Sequence, residues 1–217
     1  MIEAVLFDWR GTVFYDEDDA TWVRNSAASI GRELDGKTID AIVARLKETE
    51  SIPHIKAALD ACDHSLEAHR AAILDWYRAA EIDDELAYAI WARDGDADAS
   101  IPFPDTHEVM DELRRRGIRI AVVSNIHYDI RPHFVRHDLD RFVNEYVLSF
   151  ELGYQKPDAR MYTTALSLLA VDPQRALMVG DRPELDAVAA DAGIMTLVLP
   201  STPVGARHGL DAVLRLV

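Results

Sequence analysis

Six side chains in this sequence could act together on one reacting centre. Asp8 ends the apolar run Val5-Leu6-Phe7 and leads into Trp9-Arg10-Gly11-Thr12. Ser124-Asn125 follows Ile120–Val123, and Lys156 stands in Gly153-Tyr154-Gln155-Lys156-Pro157-Asp158. Asp181 and Asp186 lie in Gly180-Asp181-Arg182-Pro183-Glu184-Leu185-Asp186, after Ala176–Val179. A carboxylate can attack phosphorus, and a hydroxyl with backbone amides can hold phosphate oxygens. A lysine can neutralise charge, and acidic groups can hold Mg²⁺. Magnesium prefers oxygen ligands and keeps several waters, so two or three carboxylates suffice. The collection suits phosphoryl transfer. Asp186 has a second reading, as the cap of a following helix.

Such groups need elements to bring them together. Five short, branched apolar segments read as buried strands: Ala4–Phe7, Arg119–Ser124, Glu145–Ser149, Ala176–Val179 and Met195–Leu199. Helical patterns lie between the later ones. One opens on the capping box Asp105-Thr106-His107-Glu108 and stops at Gly117; the others are Tyr128–His137, Asp158–Ala170 and Leu185–Ala192, the last ending at Gly193. Alternation of strand and helix predicts an α/β fold, a doubly wound parallel sheet covered on both faces. Ligands bind beyond the carboxyl ends of such strands, where Asp8 emerges.

One stretch breaks the rhythm. From about Asp16 to Ser100 the pattern is helical throughout, with segments expected at Asp18–Leu34, Thr38–Glu48, from Ser51 and Pro53, at Ser65–Ala80 and at Asp83–Arg93. Asp94 to Asp98 and Pro102-Phe103-Pro104 read as an exit linker. The expected organisation is a core of residues 1–15 and 101–217 carrying an all-helical insert, 16–100. An insert placed there overhangs Asp8 and can exclude water and select substrate.

Composition narrows the partners. At 217 residues and 49% hydrophobic, the chain can bury a sizeable core. A formal net charge of -15 repels phosphate backbones, so nucleic acid is not an expected partner. Neither a signal peptide nor a membrane span is evident. Cys62 is the single cysteine; it fits a reducing compartment and is expected as a small buried apolar residue. These features predict a cytoplasmic protein.

The four motifs, in this order, resemble those of the haloacid dehalogenase superfamily, which has a Rossmann-like doubly wound core and, in one large subgroup, a helical cap after the first motif. That resemblance implies Asp8 as nucleophile, forming an aspartyl-phosphate, and as a magnesium ligand. It implies Ser124 and the Asn125 amide on the phosphate and Lys156 balancing charge. Asp181 would bind magnesium, with Asp186 supporting it. The implied cofactor is Mg²⁺, and the implied partner is a small phosphorylated metabolite.

Position 10 departs from the pattern. Phosphatases of the family carry an Asp two residues beyond the nucleophile as general acid and base, and this chain has Arg10. An arginine stays protonated and cannot shuttle protons near neutrality, although its backbone carbonyl can still face the metal. Three explanations stay open: Arg10 binds the leaving group or the phosphoryl group; the reaction needs no such acid, as in dehalogenases of the family; or the protein binds a phosphorylated ligand with little turnover. A metal-free dehalogenase has no need of Asp181 and Asp186, so their presence favours phosphorus chemistry.

Other polar residues have plain readings. His127 could reach the site and stand in for the missing acid, but a surface loop position is expected. His133 and His137 share a helix face without a metal-like pattern. The Asp16–Asp19 run is expected as a solvated helix start. Trp22, Arg24 and His54 could face substrate, with Trp22 expected in a core.

Overall fold

The computed structural model describes all 217 residues. Five parallel strands form its sheet: β1 (Ala4–Phe7), β4 (Arg119–Ser124), β5 (Glu145–Leu148), β6 (Ala176–Gly180) and β7 (Met195–Val198), in the order β5-β4-β1-β6-β7. They correspond to the five apolar runs. Every residue of β1 is fully buried, as expected for a central parallel strand. Alternation splits it between two cores: Val5 and Phe7 pack with Met110, Leu113 and Phe134, and Ala4 and Leu6 pack with Met161, Tyr162 and Ala165. Two helices thereby cover opposite faces, α6 (Thr106–Arg115) and α9 (Ala159–Leu169).

The chain leaves β1 toward β4 and β5, then returns to β6 and β7 on the other side. β1 is thus the switch point, where an open α/β sheet leaves a crevice at its carboxyl end. Asp8 begins that crevice, its amide donating to the Val179 carbonyl at 2.9 Å.

Five helices lie between β1 and α6: α1 (Asp19–Ser29), α2 (Gly36–Glu50), α3 (Pro53–Ala61), α4 (Leu66–Ala79) and α5 (Asp84–Arg93). Asp18, Asp35, Ser65 and Asp83 cap four of them through their side chains. Val23, Ile39, Ile42, Tyr77, Leu86 and Ile90 form a separate core there. Trp22 packs against that core, as expected, with its indole N–H on the Ile90 carbonyl at 3.2 Å. No helix is long and apolar enough to cross a membrane.

The structure departs from the sequence reading at four places. A two-stranded antiparallel ribbon joins the insert to the sheet, β2 (Phe14–Asp16) against β3 (Ser100–Pro102), where a plain linker was expected. Its three pairs join residues more than 80 positions apart, and neither strand shows a period of its own. Asp105 precedes α6 but makes no side-chain cap. Its carboxylate instead accepts the amides of His208, Gly209 and Leu210 at 2.8–3.0 Å, pinning the C-terminal segment. The helix expected at Tyr128–His137 is only α7 (Arg131–Arg136). After β6 the chain forms α10 (Pro183–Asp186) and a 3₁₀ segment, Ala187–Ala192, ending on Gly193 with φ 81°.

Candidate active site

Four strand ends converge on the crevice. Asp8 follows β1, Asp181 and Asp186 follow β6, and one carboxylate oxygen from each lies within 4.8 Å of the others. Lys156 reaches between two of them: its Nζ donates to Asp8 Oδ1 and to Asp186 Oδ1, both at 2.7 Å. Its side chain is only 1% exposed, so it can hold a charge there only because both carboxylates face it. Burial works against the charged amine, yet Asp8 and Asp186 hold its pKa above the ordinary lysine value.

Two glycines and an asparagine make this convergence possible. Gly11 adopts φ 82°, and a Cβ there would overlap the Asp181 carboxylate; at Gly180 it would overlap Asp186. Only a residue without a side chain lets the loops close. Asn125 positions the lysine: its Nδ2 donates to the Lys156 carbonyl at 2.9 Å and its Oδ1 accepts the Lys156 amide at 2.7 Å. Asp186 also accepts the Arg182 amide at 3.1 Å, so it braces its own loop and faces the site at once. Thr12 Oγ1 lies 3.3 Å from Asp181 Oδ1.

The electrostatics are unbalanced toward negative charge. Burial raises the Asp8 pKa to about 6; Lys156 opposes this, and Asp186 and Asp181 add to it. Asp181 is raised as well, first by burial and then by Asp186. Three carboxylates against one ammonium leave a deficit of two positive charges, and the donors are all oxygens. This donor set fits a divalent hard cation.

Asp8 and Lys156, together with Ser124 and Asn125, line a cavity of about 230 Å³. Its other wall comes from the insert, with Asp63, His69 and Asp94. Those three are functional candidates that sequence reasoning missed, since nothing local marks them. The insert touches the core directly here: Ser149 Oγ bonds to the Asp63 carbonyl and Gln155 Nε2 to the Asp60 carbonyl at 2.8 Å.

Arg10 borders the same cavity, but its guanidinium is already held. Nη1 pairs with Asp94 Oδ1, and Nε lies 3.2 Å from Asp16 Oδ1. Nη2 contacts the Asp94 carbonyl at 3.2 Å and Tyr128 Oη at 2.9 Å. The guanidinium carbon sits 4.4 Å from the Trp9 ring centroid. Asp16 is therefore no part of a solvated helix start; it also accepts from Ser100 Oγ at 2.6 Å. Asp18, by contrast, caps α1 as expected.

The histidines also differ from expectation. His127 is 4% exposed and lines the cavity, so the predicted surface position is wrong: the insert covers the loop after β4. His133 is buried against Trp9, ring centroids 5.1 Å apart. Cys62 is buried as expected, and burial pushes its thiol up to about 12. Arg24 and His54 are exposed and stand outside the cavity.

Comparison with known proteins agrees with this architecture. Residues 2–193 match the model of the haloacid dehalogenase-like hydrolases. The chain therefore belongs to the haloacid dehalogenase-like hydrolase family. It is 31% identical over 118 residues to a glyceraldehyde 3-phosphate phosphatase of Methanothermobacter thermautotrophicus, a match covering 51% of this chain and 52% of that protein. It is 33% identical over 111 residues to a ribulose-1,5-bisphosphate 5-phosphatase of Halopiger xanaduensis, covering 50% and 46%. The chain thus spans about half the length of the curated relatives it matches. Among solved structures, a HAD phosphatase from Thermococcus onnurineus superposes with TM-score 0.65 at 16% identity, covering 99% of this chain and 97% of that one. The L-2-haloacid dehalogenase of Xanthobacter autotrophicus gives 0.66 at 20%, covering 95% and 80%. These two likenesses establish the shared fold.

Proposed function

We propose that this protein is a magnesium-dependent phosphatase that hydrolyses a small phosphorylated metabolite through an aspartyl-phosphate on Asp8. The observation that carries the reading is the cluster of Asp8, Asp181 and Asp186 within 4.8 Å, with a single ammonium between two of them. Magnesium held by these three carboxylates would neutralise the charge of the phosphoryl group during transfer. Asp8 attacks phosphorus, and Ser124 with the Asn125 amide holds the phosphoryl oxygens. Lys156 keeps Asp8 ionised and in place, while Asn125 fixes the Lys156 loop. Residues 1–15 and 101–217 form the catalytic core, and 16–100 form a cap that admits substrate and sheds water. Relatives named as phosphatases of glyceraldehyde 3-phosphate and ribulose 1,5-bisphosphate support a small phosphate ester as substrate. A lone buried cysteine suits a reducing cytoplasm.

The sequence left open what Arg10 does. Its engagement with Asp16, Asp94 and Tyr128 favours a structural duty at the core–cap junction over a phosphate clamp. A dehalogenase would gain nothing from the acidic cluster, whose mutual repulsion a cation must offset. A panel of sugar and hydroxy-acid phosphates assayed with Mg²⁺ and with EDTA, beside a halide-release assay on 2-haloacids, tests the reading. Phosphate release that needs Mg²⁺ and vanishes in Asp8→Asn is expected. Halide release in EDTA, or phosphate release by Asp8→Asn, would contradict it.

A further inference from the structure

Position 10 lacks an acid, but the arginine there holds one. Asp94 gives Oδ1 to Arg10, and its Oδ2 lies 3.4 Å from Nε2 of His127. His127 stands three residues beyond Ser124 on the wall of the cavity that Asp8 and Lys156 also line. Its other ring nitrogen, Nδ1, is buried without a hydrogen-bond partner, and the charged group facing it is Asp63, at 3.9 Å. A carboxylate at Nε2 favours the tautomer protonated there and leaves the Nδ1 lone pair free. The ring is clamped as well. It stacks on His69 at 3.3 Å and 6°, and Tyr128 meets it edge-on at 4.8 Å.

We infer that His127, oriented by Asp94 and Arg10, carries the protons for hydrolysis at Asp8, in place of the acid absent from position 10. The inference rests on the phosphatase reading above. In the first half-reaction Asp8 bonds to phosphorus, the ester P–O bond breaks, and the leaving oxygen takes a proton from Nδ1 of the His127 imidazolium. In the second, neutral His127 takes a proton from water at Nδ1. The resulting hydroxide bonds to phosphorus, the P–O bond to Asp8 breaks, and phosphate leaves with the imidazolium restored. Asp94 and Arg10 are positioning residues in this scheme, and Asp94 stabilises the imidazolium.

Geometry favours a proton carrier over a second metal site. His69, Asp94 and His127 offer ligand atoms within 4.8 Å, yet stacked parallel imidazoles aim their lone pairs along parallel planes that do not meet on one ion. His69 is the stacking partner that stays neutral: Trp91 Nε1 donates to its Nδ1 at 3.3 Å, and burial and then His127 push its pKa down to about 4.

Rapid-quench kinetics with p-nitrophenyl phosphate test the inference, because nitrophenolate leaves without needing a proton. His127→Gln should keep a burst of nitrophenolate equal to one enzyme equivalent and accumulate phosphoenzyme, with dephosphorylation slowed 10²- to 10⁴-fold. Added imidazole should restore turnover in His127→Ala, a result that a merely structural histidine would not give. Wild-type protein that labels on Asp8 while His127→Gln dephosphorylates at an unchanged rate would overturn the inference alone. The same follows if both half-reactions slow equally and imidazole rescues nothing. Wild-type protein that forms no phosphoenzyme would overturn the phosphatase reading and this inference with it.

Discussion

Asp8→Asn should stabilise this protein at neutral pH when no metal is present. Asp8 is buried beside two other carboxylates, and its pKa stands at about 6 against the usual 3.8. A carboxylate whose folded pKa is raised adds relative stability below its unfolded pKa near 4, and loses it as pH rises through about 6. That gap of about two pH units, at 1.36 kcal/mol each, corresponds to about 3 kcal/mol by pH 8. Asparagine keeps the shape and the oxygen that Lys156 can donate to, without the charge. In EDTA the two proteins should melt together near pH 4, and Asp8→Asn should melt higher by pH 8. For a domain of this size about 3 kcal/mol corresponds to about 6–12 °C. Differential scanning calorimetry from pH 4 to 8 measures the divergence. Excess Mg²⁺ should reverse the order at pH 8, because a ligand stabilises only the form that binds it. If Asp8→Asn were destabilised by the same amount at every pH, the attraction of Lys156 would outweigh burial and repulsion. The electrostatic reasoning would then be wrong.

Three further outcomes follow. Gly180→Ala should weaken Mg²⁺ binding at least tenfold in isothermal titration, because its Cβ overlaps the Asp186 carboxylate; unchanged affinity would show that Asp186 is not needed near the ion. Arg10→Met should lower stability by about 3 kcal/mol in urea unfolding, since it leaves Asp94 and Asp16 without their cation. Asp105→Ala should cost about 3 kcal/mol by removing the acceptor for three amides. Burial opposes its ionisation, but the amides of His208, Gly209 and Leu210 hold its pKa below the ordinary value, so its contribution fades as pH falls through that lowered pKa. A loss unaltered down to pH 2 would refute the charged contact.

The strands and the groups at their ends were legible because both signals are local. An apolar run such as Val5-Leu6-Phe7 is a buried central strand wherever it sits, and topology carries its terminal residue to the crevice. The five helices between Asp19 and Arg93 were legible from helical period and caps. Contacts across the chain were not. Asp94 looked like a linker residue because its partner Arg10 is 84 positions away. Asp105 headed a plausible capping box, yet three amides from a distant turn offered its carboxylate more bonds than one helix end could. His127 read as a loop residue because only the folded insert buries it. Arg10 was visible as an anomaly from the start, and the ring of acids around it was the missing half.

Peptide mapping of the quenched intermediate tests the central claim most directly. Protein incubated with a turned-over phosphate ester and Mg²⁺, quenched in acid and reduced with borohydride, should carry homoserine in place of aspartate at position 8 and nowhere else. Phosphate release with an unmodified Asp8, or reduction at Asp181 or Asp186 instead, would contradict the account.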